Sequence, residues 1–277
     1  MKRNTLRHFL TCSIAAALLF LGYTPASAQY YMNVFKKNGE TVQFEVTELD
    51  SVSFTSTEVA YEYVDLGLSV NWATFNVGAT RPEAYGDYFA WGETEPYYEA
   101  GYAQENPQAH WKDGKSDGYN WFNYKWCNGT YDSLTKYNTK SDKGTVDNKT
   151  VLDPEDDVAH VKWGGSWRMP TKEEQYELFN NCTWTWYDSG NTEFNGVAGY
   201  KVTSNKDGYT DRSIFLPAAG FRGGTYLIDG GSYGLYWSSS LYTESPHGAC
   251  SLIFDSGNHG ADSLDRGYGF SVRPVLP

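Results

Sequence analysis

The chain predicts an α+β protein of short antiparallel strands with two helices, and three observations carry that expectation. Aromatic residues make up 17% of the 277 residues, with 23 Tyr, 10 Trp and 28 Gly. That composition suits strands, tight turns and loops rather than a helical bundle. Only two stretches carry strong helix-start signals, at Asp153-Pro154 and at Thr171. Beyond Thr183 the sequence breaks into short apolar segments punctuated by Gly, Asn, Asp and Ser, the pattern of strands and turns.

The elements follow in chain order. Lys2, Arg3 and Arg7 precede an apolar run from Phe9 to Gly22, and Ala26-Ser27-Ala28 supplies a small-x-small cleavage site. Residues 1–28 are therefore expected to be a signal peptide, with the mature chain starting at Gln29 and exported to the periplasm, the cell surface or the medium. Residues 29–56 read as a small β unit. Tyr31 to Phe35 forms one strand, Asn38-Gly39 a two-residue turn that needs positive φ, and Thr41 to Val46 the return, with Leu49 to Phe54 alternating again. A polar link at 55–60 leads to one domain, 61–277. Val70 to Thr74 and the aromatic segment Tyr85 to Glu93 read as extended. Residues 97–150 are polar, rich in Gly, Asn, Lys and Asp, and poor in aliphatics, so a long irregular insertion is expected there. Asp153 as cap, with Pro154 at the first helical position, predicts a helix to about Val161. Thr171 and Glu174 form a capping box for a second helix ending near Asn181.

Charge excludes some partners. The signal carries three basic and no acidic residues, so the 22 basic and 34 acidic residues of the whole chain become 19 and 34, a formal charge of −15. Nucleic acid and anionic lipid both need clustered Lys and Arg, so neither is expected as a partner. No segment after the signal is long and apolar enough to serve as a transmembrane helix. Cys127, Cys182 and Cys250 remain after processing, enough for one disulfide at most, with the three pairings equally open.

Six ordered blocks carry a family resemblance. They are Val64 to Val70, Gly86 to Glu93, Trp163 to Thr171, Phe215 to Gly220, Tyr236 to Ser240 and Gly269 to Val275. In these, residues 61–277 resemble the Fibrobacter succinogenes major paralogous domain family. The resemblance implies a C-type-lectin-like fold, with two helices and small twisted antiparallel sheets. That fold is shared with formylglycine-generating enzymes and with the variable proteins of diversity-generating retroelements. The N-terminal β unit resembles a short module that often precedes other domains in exported proteins of similar bacteria.

The chemistry such a fold can host is then weighed residue by residue. Calcium-dependent lectins of this fold carry Glu-Pro-Asn or Gln-Pro-Asp and then Trp-Asn-Asp, which this sequence lacks; Glu105-Asn106-Pro107 has the wrong order. Asp153, Glu155, Asp156 and Asp157 offer oxygens, but helix capping already accounts for the first three. No metal and no cofactor is expected. A formylglycine-generating activity needs two nearby cysteines, and only Cys250 lies near the C-terminus. Ser240, Ser251, His247, His259, Asp255 and Asp262 include the residue types of a hydrolase triad, but neither Ser240 nor Ser251 sits in a Gly-x-Ser-x-Gly elbow.

The most informative stretch is 236–275. Trp237, Ala249, Leu252, Phe254, Phe270 and Val272 read as its buried frame, and Val272 to Val275 as a final strand with Pro274 at an end. Tyr242, Glu244, Ser245, His247, Ser251, Ile253, Asn258, His259, Asp262, Asp265, Arg266 and Tyr268 have no periodic logic. The matching segment of retroelement variable proteins is the ligand face, so the resemblance implies a binding role for these residues. The expected function is an exported, adhesin-like, non-enzymatic recognition protein whose C-terminal loops meet a protein or glycan. Two alternatives are a formylglycine-generating-like or glycan-active enzyme, and a structural component of a surface assembly joined by strand addition through 31–54.

Overall fold

A computed structural model describes residues 31–35, 41–46, 61–104 and 110–277. The expected signal peptide, the Asn38-Gly39 turn, the Leu49–Phe54 strand, the polar link and Glu105-Asn106-Pro107 lie outside the described residues. The chain divides into two compact units, Met1–Glu58 and Val59–Pro277. In the first, β1 (Tyr31–Phe35) pairs antiparallel with β2 (Thr41–Glu45), from Tyr31 opposite Glu45 to Phe35 opposite Thr41. These are the two strands read from the sequence.

The second unit is built of small antiparallel sheets with two helices. Strands β3 (Tyr63–Val64) and β4 (Asn71–Ala73) open it. Helices α1 (Val158–Trp163) and α2 (Lys172–Asn181) follow the irregular stretch, and β5 (Cys182–Tyr187), β6 (Gly199–Ser204) and β7 (Ser213–Pro217) form a meander. A short hairpin, β8 (Phe221–Gly223) and β9 (Tyr226–Ile228), precedes β10 (Gly234–Leu241), β11 (Gly248–Phe254) and β12 (His259–Asp265). The last strand, β13 (Val275–Leu276), pairs with β4, so the two ends of the domain share one sheet in the order β13-β4-β3. Pro274 precedes that strand, where its missing N–H costs no ladder bond. No helix among the described residues is long and apolar enough to cross a membrane.

Capping explains the helices, with one correction. Thr171 accepts from the Glu174 N–H at 3.3 Å and Glu174 accepts from the Thr171 N–H at 2.8 Å, the expected reciprocal box. The first helix is capped by Asp157, not Asp153. Pro154–Asp156 closes as a separate 3-10 turn, and Asp157 Oδ1 takes the N–H groups of Ala159 and His160 at 2.9 and 3.1 Å. Its Oδ2 takes the Met169 N–H at 2.8 Å, tying the helix to the connection beyond it. Asp153 and Asp156 instead meet Lys136 at 2.7 and 2.6 Å.

The insertion departs further from expectation. Among its described residues it is irregular as predicted, but it is not a polar outgrowth. Tyr97, Tyr98, Tyr119 and Tyr124 are buried and form a core of their own with Tyr88, Ala90 and Ala219. Tyrosine supplies a large apolar ring and a donor together, so a segment poor in aliphatics still packs. Its partner is the Gly86–Glu93 segment, which is a spine rather than a strand; its one bridge is Phe89 to Phe270. Side chains satisfy its carbonyls. Tyr119 Oη donates to Tyr88 at 2.6 Å and Trp237 Nε1 to Phe89 at 2.8 Å. Tyr124 Oη donates to Trp91 at 2.7 Å and Trp126 Nε1 to Gly92 at 2.8 Å.

Gly118 lets the insertion approach β8–β9. Its φ is +69°, and a Cβ there would lie 1.9 Å from the Gly224 carbonyl oxygen. The spine itself yields a test. Tyr119→Phe keeps the ring and removes the donor to Tyr88 and the acceptor for the Tyr97 N–H. It should lower the unfolding free energy by about 2 kcal/mol in urea titration, whereas Tyr226→Phe, at an exposed ring, should change it by less than about 0.5 kcal/mol.

Candidate functional site

The late sheet, in the order β10-β11-β12, is a wall between two cores. Tyr236, Leu252 and Phe254 face one core, with Trp72, Leu216 and Val275. Leu235, Trp237, Leu241 and Ala249 face the other, with Phe89, Trp91 and Phe270. Successive residues of a strand point to opposite faces, so every residue of β10 is buried. The frame positions Trp237, Ala249, Leu252, Phe254, Phe270 and Val272 are all buried, as read from the sequence.

That wall removes two residues from the expected ligand face. Ser251 and Arg266 are both 0% exposed. Ser251 pairs across the ladder with Trp237, where only a small side chain fits beside the indole. The Arg266 guanidinium lies 5.3 and 5.5 Å over the Trp91 and Tyr124 rings and donates to the Tyr137 carbonyl at 2.9 Å. It fastens the insertion to the core. Ile253 and Tyr268 are half-buried and pack against the second core; Tyr268 meets Phe221 edge-on at 5.5 Å.

The remaining candidates fall into two groups rather than one. A seven-residue strand such as β11 spans about 20 Å, and the groups lie at its opposite ends. At one end are Tyr242, Glu244, Ser245, His247 and Asp265. Tyr242 Oη donates to Glu244 at 2.9 Å. His247 Nδ1 lies 3.0 Å from Ser245 Oγ and its Nε2 lies 3.8 Å from Asp265 Oδ1, with the Tyr131 ring edge-on at 5.6 Å. The second distance exceeds hydrogen-bond reach. Asp262 is exposed on β12, between the two ends.

At the other end Asn258 and His259 are exposed at the β11–β12 turn. There the β5–β7 sheet contributes residues the sequence reading passed over. The His259 ring stacks on Trp184 at 4.6 Å and 10°, and Trp184 stacks in turn near Phe179 at 5.4 Å. Beside this wall an open cleft of about 430 Å³ is lined by Trp186, Asp188, Ser232, Tyr233, Asp255 and Gly257. Trp186 Nε1 donates to Asp188 Oδ1 at 2.7 Å. Asp255 Oδ1 accepts from the Gly257 and Asn258 N–H groups at 2.7 and 2.9 Å, which fixes the turn. The signal for Trp184 and Trp186 was present: they stand two apart in Cys182–Tyr187 and so share a face of one strand.

A larger cleft of about 780 Å³ lies near the start of the domain, against Tyr61, Phe75, Arg81, Lys162 and Trp163. Its two cations and two of its rings already meet partners within the chain. Arg81 meets Glu83 at 3.5 Å, Lys162 meets Glu95 at 2.9 Å, and the Tyr61 and Trp163 rings stack on each other at 3.9 Å. None of the residues nominated from the sequence lines it.

Cys127, Cys182 and Cys250 are unbridged. Burial raises all three thiols, Cys182 to about 11, and so disfavours the reactive thiolate. Comparison with protein-family models, curated proteins and solved structures finds no match for this chain.

Two outcomes follow. Arg266→Ala leaves the Tyr137 carbonyl without its donor and a void under Trp91 and Tyr124; it should cost on the order of 3 kcal/mol by urea unfolding, while Glu244→Ala stays within about 0.5 kcal/mol. Desolvation against Trp184 pushes the His259 imidazole below its ordinary 6.5. The neutral ring's contribution to stability is therefore complete above pH 6.5 and is lost as pH falls through the lowered value. An NMR titration should find His259 titrating below 6.5, and closer to 6.5 in Trp184→Ala.

Proposed function

We propose that this chain is an exported, non-enzymatic recognition protein on a C-type-lectin-like scaffold that presents its late turns to a protein or glycan at the periplasm, cell surface or beyond. The six sequence blocks that resemble the Fibrobacter succinogenes major paralogous domain family support the scaffold, and two helices with small antiparallel sheets agree with it. The observation that carries the functional reading is the β11–β12 turn. It is exposed at Asn258 and His259, ordered by Asp255, and set beside aromatic side chains held on a rigid sheet. Recognition sites favour such loops on stiff supports. The ligand face is accordingly narrower than the twelve residues first nominated: it centres on Asn258 and His259 and draws in Trp184 and Trp186. An enzyme of the formylglycine-generating type is less well supported, because Cys250 is alone, buried and raised in pKa.

A screen of the mature protein against purified extracellular proteins and glycans tests the reading. With any ligand found, the double variant Asn258→Ala/His259→Ala should weaken affinity at least tenfold at a temperature where its measured Tm leaves it fully folded. Unaltered binding both in that variant and in Trp186→Ala, or turnover of a screened substrate, would overturn it.

A further inference from the structure

We infer that the cleft beside Trp186 is a calcium-independent site for a neutral pyranose. This deepens the recognition reading and rests on it. Three features point to a sugar. The cleft combines two aromatic side chains, Trp186 and Tyr233, with two carboxylates, Asp188 and Asp255. A pyranose has an apolar face of C–H groups that stacks on an aromatic ring, and a rim of hydroxyls that donate to carboxylates. Second, the carboxylates are held in place before any ligand arrives. Asp188 receives the Trp186 N–H, and its carbonyl accepts from the Asn191 backbone and side chain at 3.3 and 2.8 Å. Asp255 is held by its two backbone donors. Preorganised polar groups lose little freedom when they bind. Third, its volume of about 430 Å³ falls in the range of small-ligand sites, about 300–1,000 Å³.

Charge narrows the class. Among the described residues, the cleft is lined by Asp188 and Asp255 and by no Lys or Arg. A uronate, sialylated or sulfated sugar would bring a further negative charge against two carboxylates, a like-charge contact that disfavours it. A neutral hexose brings only hydroxyl donors. Divalent ions are not required, because the carboxylates accept directly from sugar hydroxyls.

The test uses the intact mature chain in EDTA. Neutral tetrasaccharides of gluco, galacto and manno configuration, with tetragalacturonate as the anionic comparison, are titrated by isothermal calorimetry and by tryptophan fluorescence. At least one neutral sugar should bind saturably, with tetragalacturonate at least tenfold weaker. Trp186→Ala should abolish binding. Because Trp186 also packs on Tyr200, Tyr233→Ala and Asp255→Asn provide the second measure, each weakening binding at least tenfold with Tm checked. No binding of any neutral sugar at millimolar concentration, dependence on calcium, or unchanged affinity in Tyr233→Ala and Asp255→Asn would overturn the inference. A protein ligand bound through Asn258 and His259 without sugar binding would sink this site and leave the recognition reading standing.

Discussion

The fold depends on side-chain donors that take over the work of a β-ladder. Buried backbone carbonyls must find partners, and the Gly86–Glu93 spine has almost no strand neighbour. Two tyrosine hydroxyls and two indole N–H groups meet the carbonyls of Tyr88, Phe89, Trp91 and Gly92. The same device recurs elsewhere. Tyr88 Oη donates to Ala219, Tyr236 Oη to Pro217 and Trp91 Nε1 to Ser238. The wealth of Tyr and Trp thus has two causes: each ring fills core volume, and each polar tip closes an irregular turn.

Three arginines extend the device over longer distances. Arg222, Arg266 and Arg273 are essentially buried, and each donates to backbone carbonyls of distant segments. Arg273 Nη1 and Nη2 donate to Ala73 and Phe215 at 3.1 and 2.9 Å, and Nε to Asn76 Oδ1 at 2.8 Å. Arg222 donates from Nη2 to Ala103 at 2.6 Å under the Tyr98 ring. Guanidinium suits this role because it is weakly hydrated, planar and carries five donors. Burial depresses the Arg266 and Arg273 cations below their ordinary range, the electrostatic cost of placing a cation among buried carbonyls.

Local signals were legible in the sequence and distant ones were not. The Thr171–Glu174 box needs only four consecutive residues, and the β1 and β2 strands only the Asn38-Gly39 turn signal and the alternation of the return strand. The frame Trp237, Leu252 and Phe254 was readable because large apolar residues seek burial. Asp157 displaced Asp153 as cap because neighbouring carboxylates are alike in sequence; only the position of the Met169 N–H favours one. Ser251 and Arg266 looked like surface because their residue types are polar. Their burial depends on Trp237 across a ladder and on a carbonyl 129 residues away. The insertion's tyrosines follow no period of 2 or 3.6, so their shared core was invisible. The Trp184–Trp186 spacing was readable, but its meaning came only when folding brought His259 against it.

The pairing of β13 with β4 has a consequence for how the domain is made. Val275 lies opposite Trp72, and its backbone also exchanges hydrogen bonds with Arg168. Strands β4 and β13 therefore close a loop that encompasses nearly the whole domain, a contact of the most expensive kind in chain entropy. The nascent domain cannot latch until its final residues have emerged from the ribosome. Native closure waits for residues 275–276, and until they are made the growing chain stays open to whatever machinery handles it during synthesis.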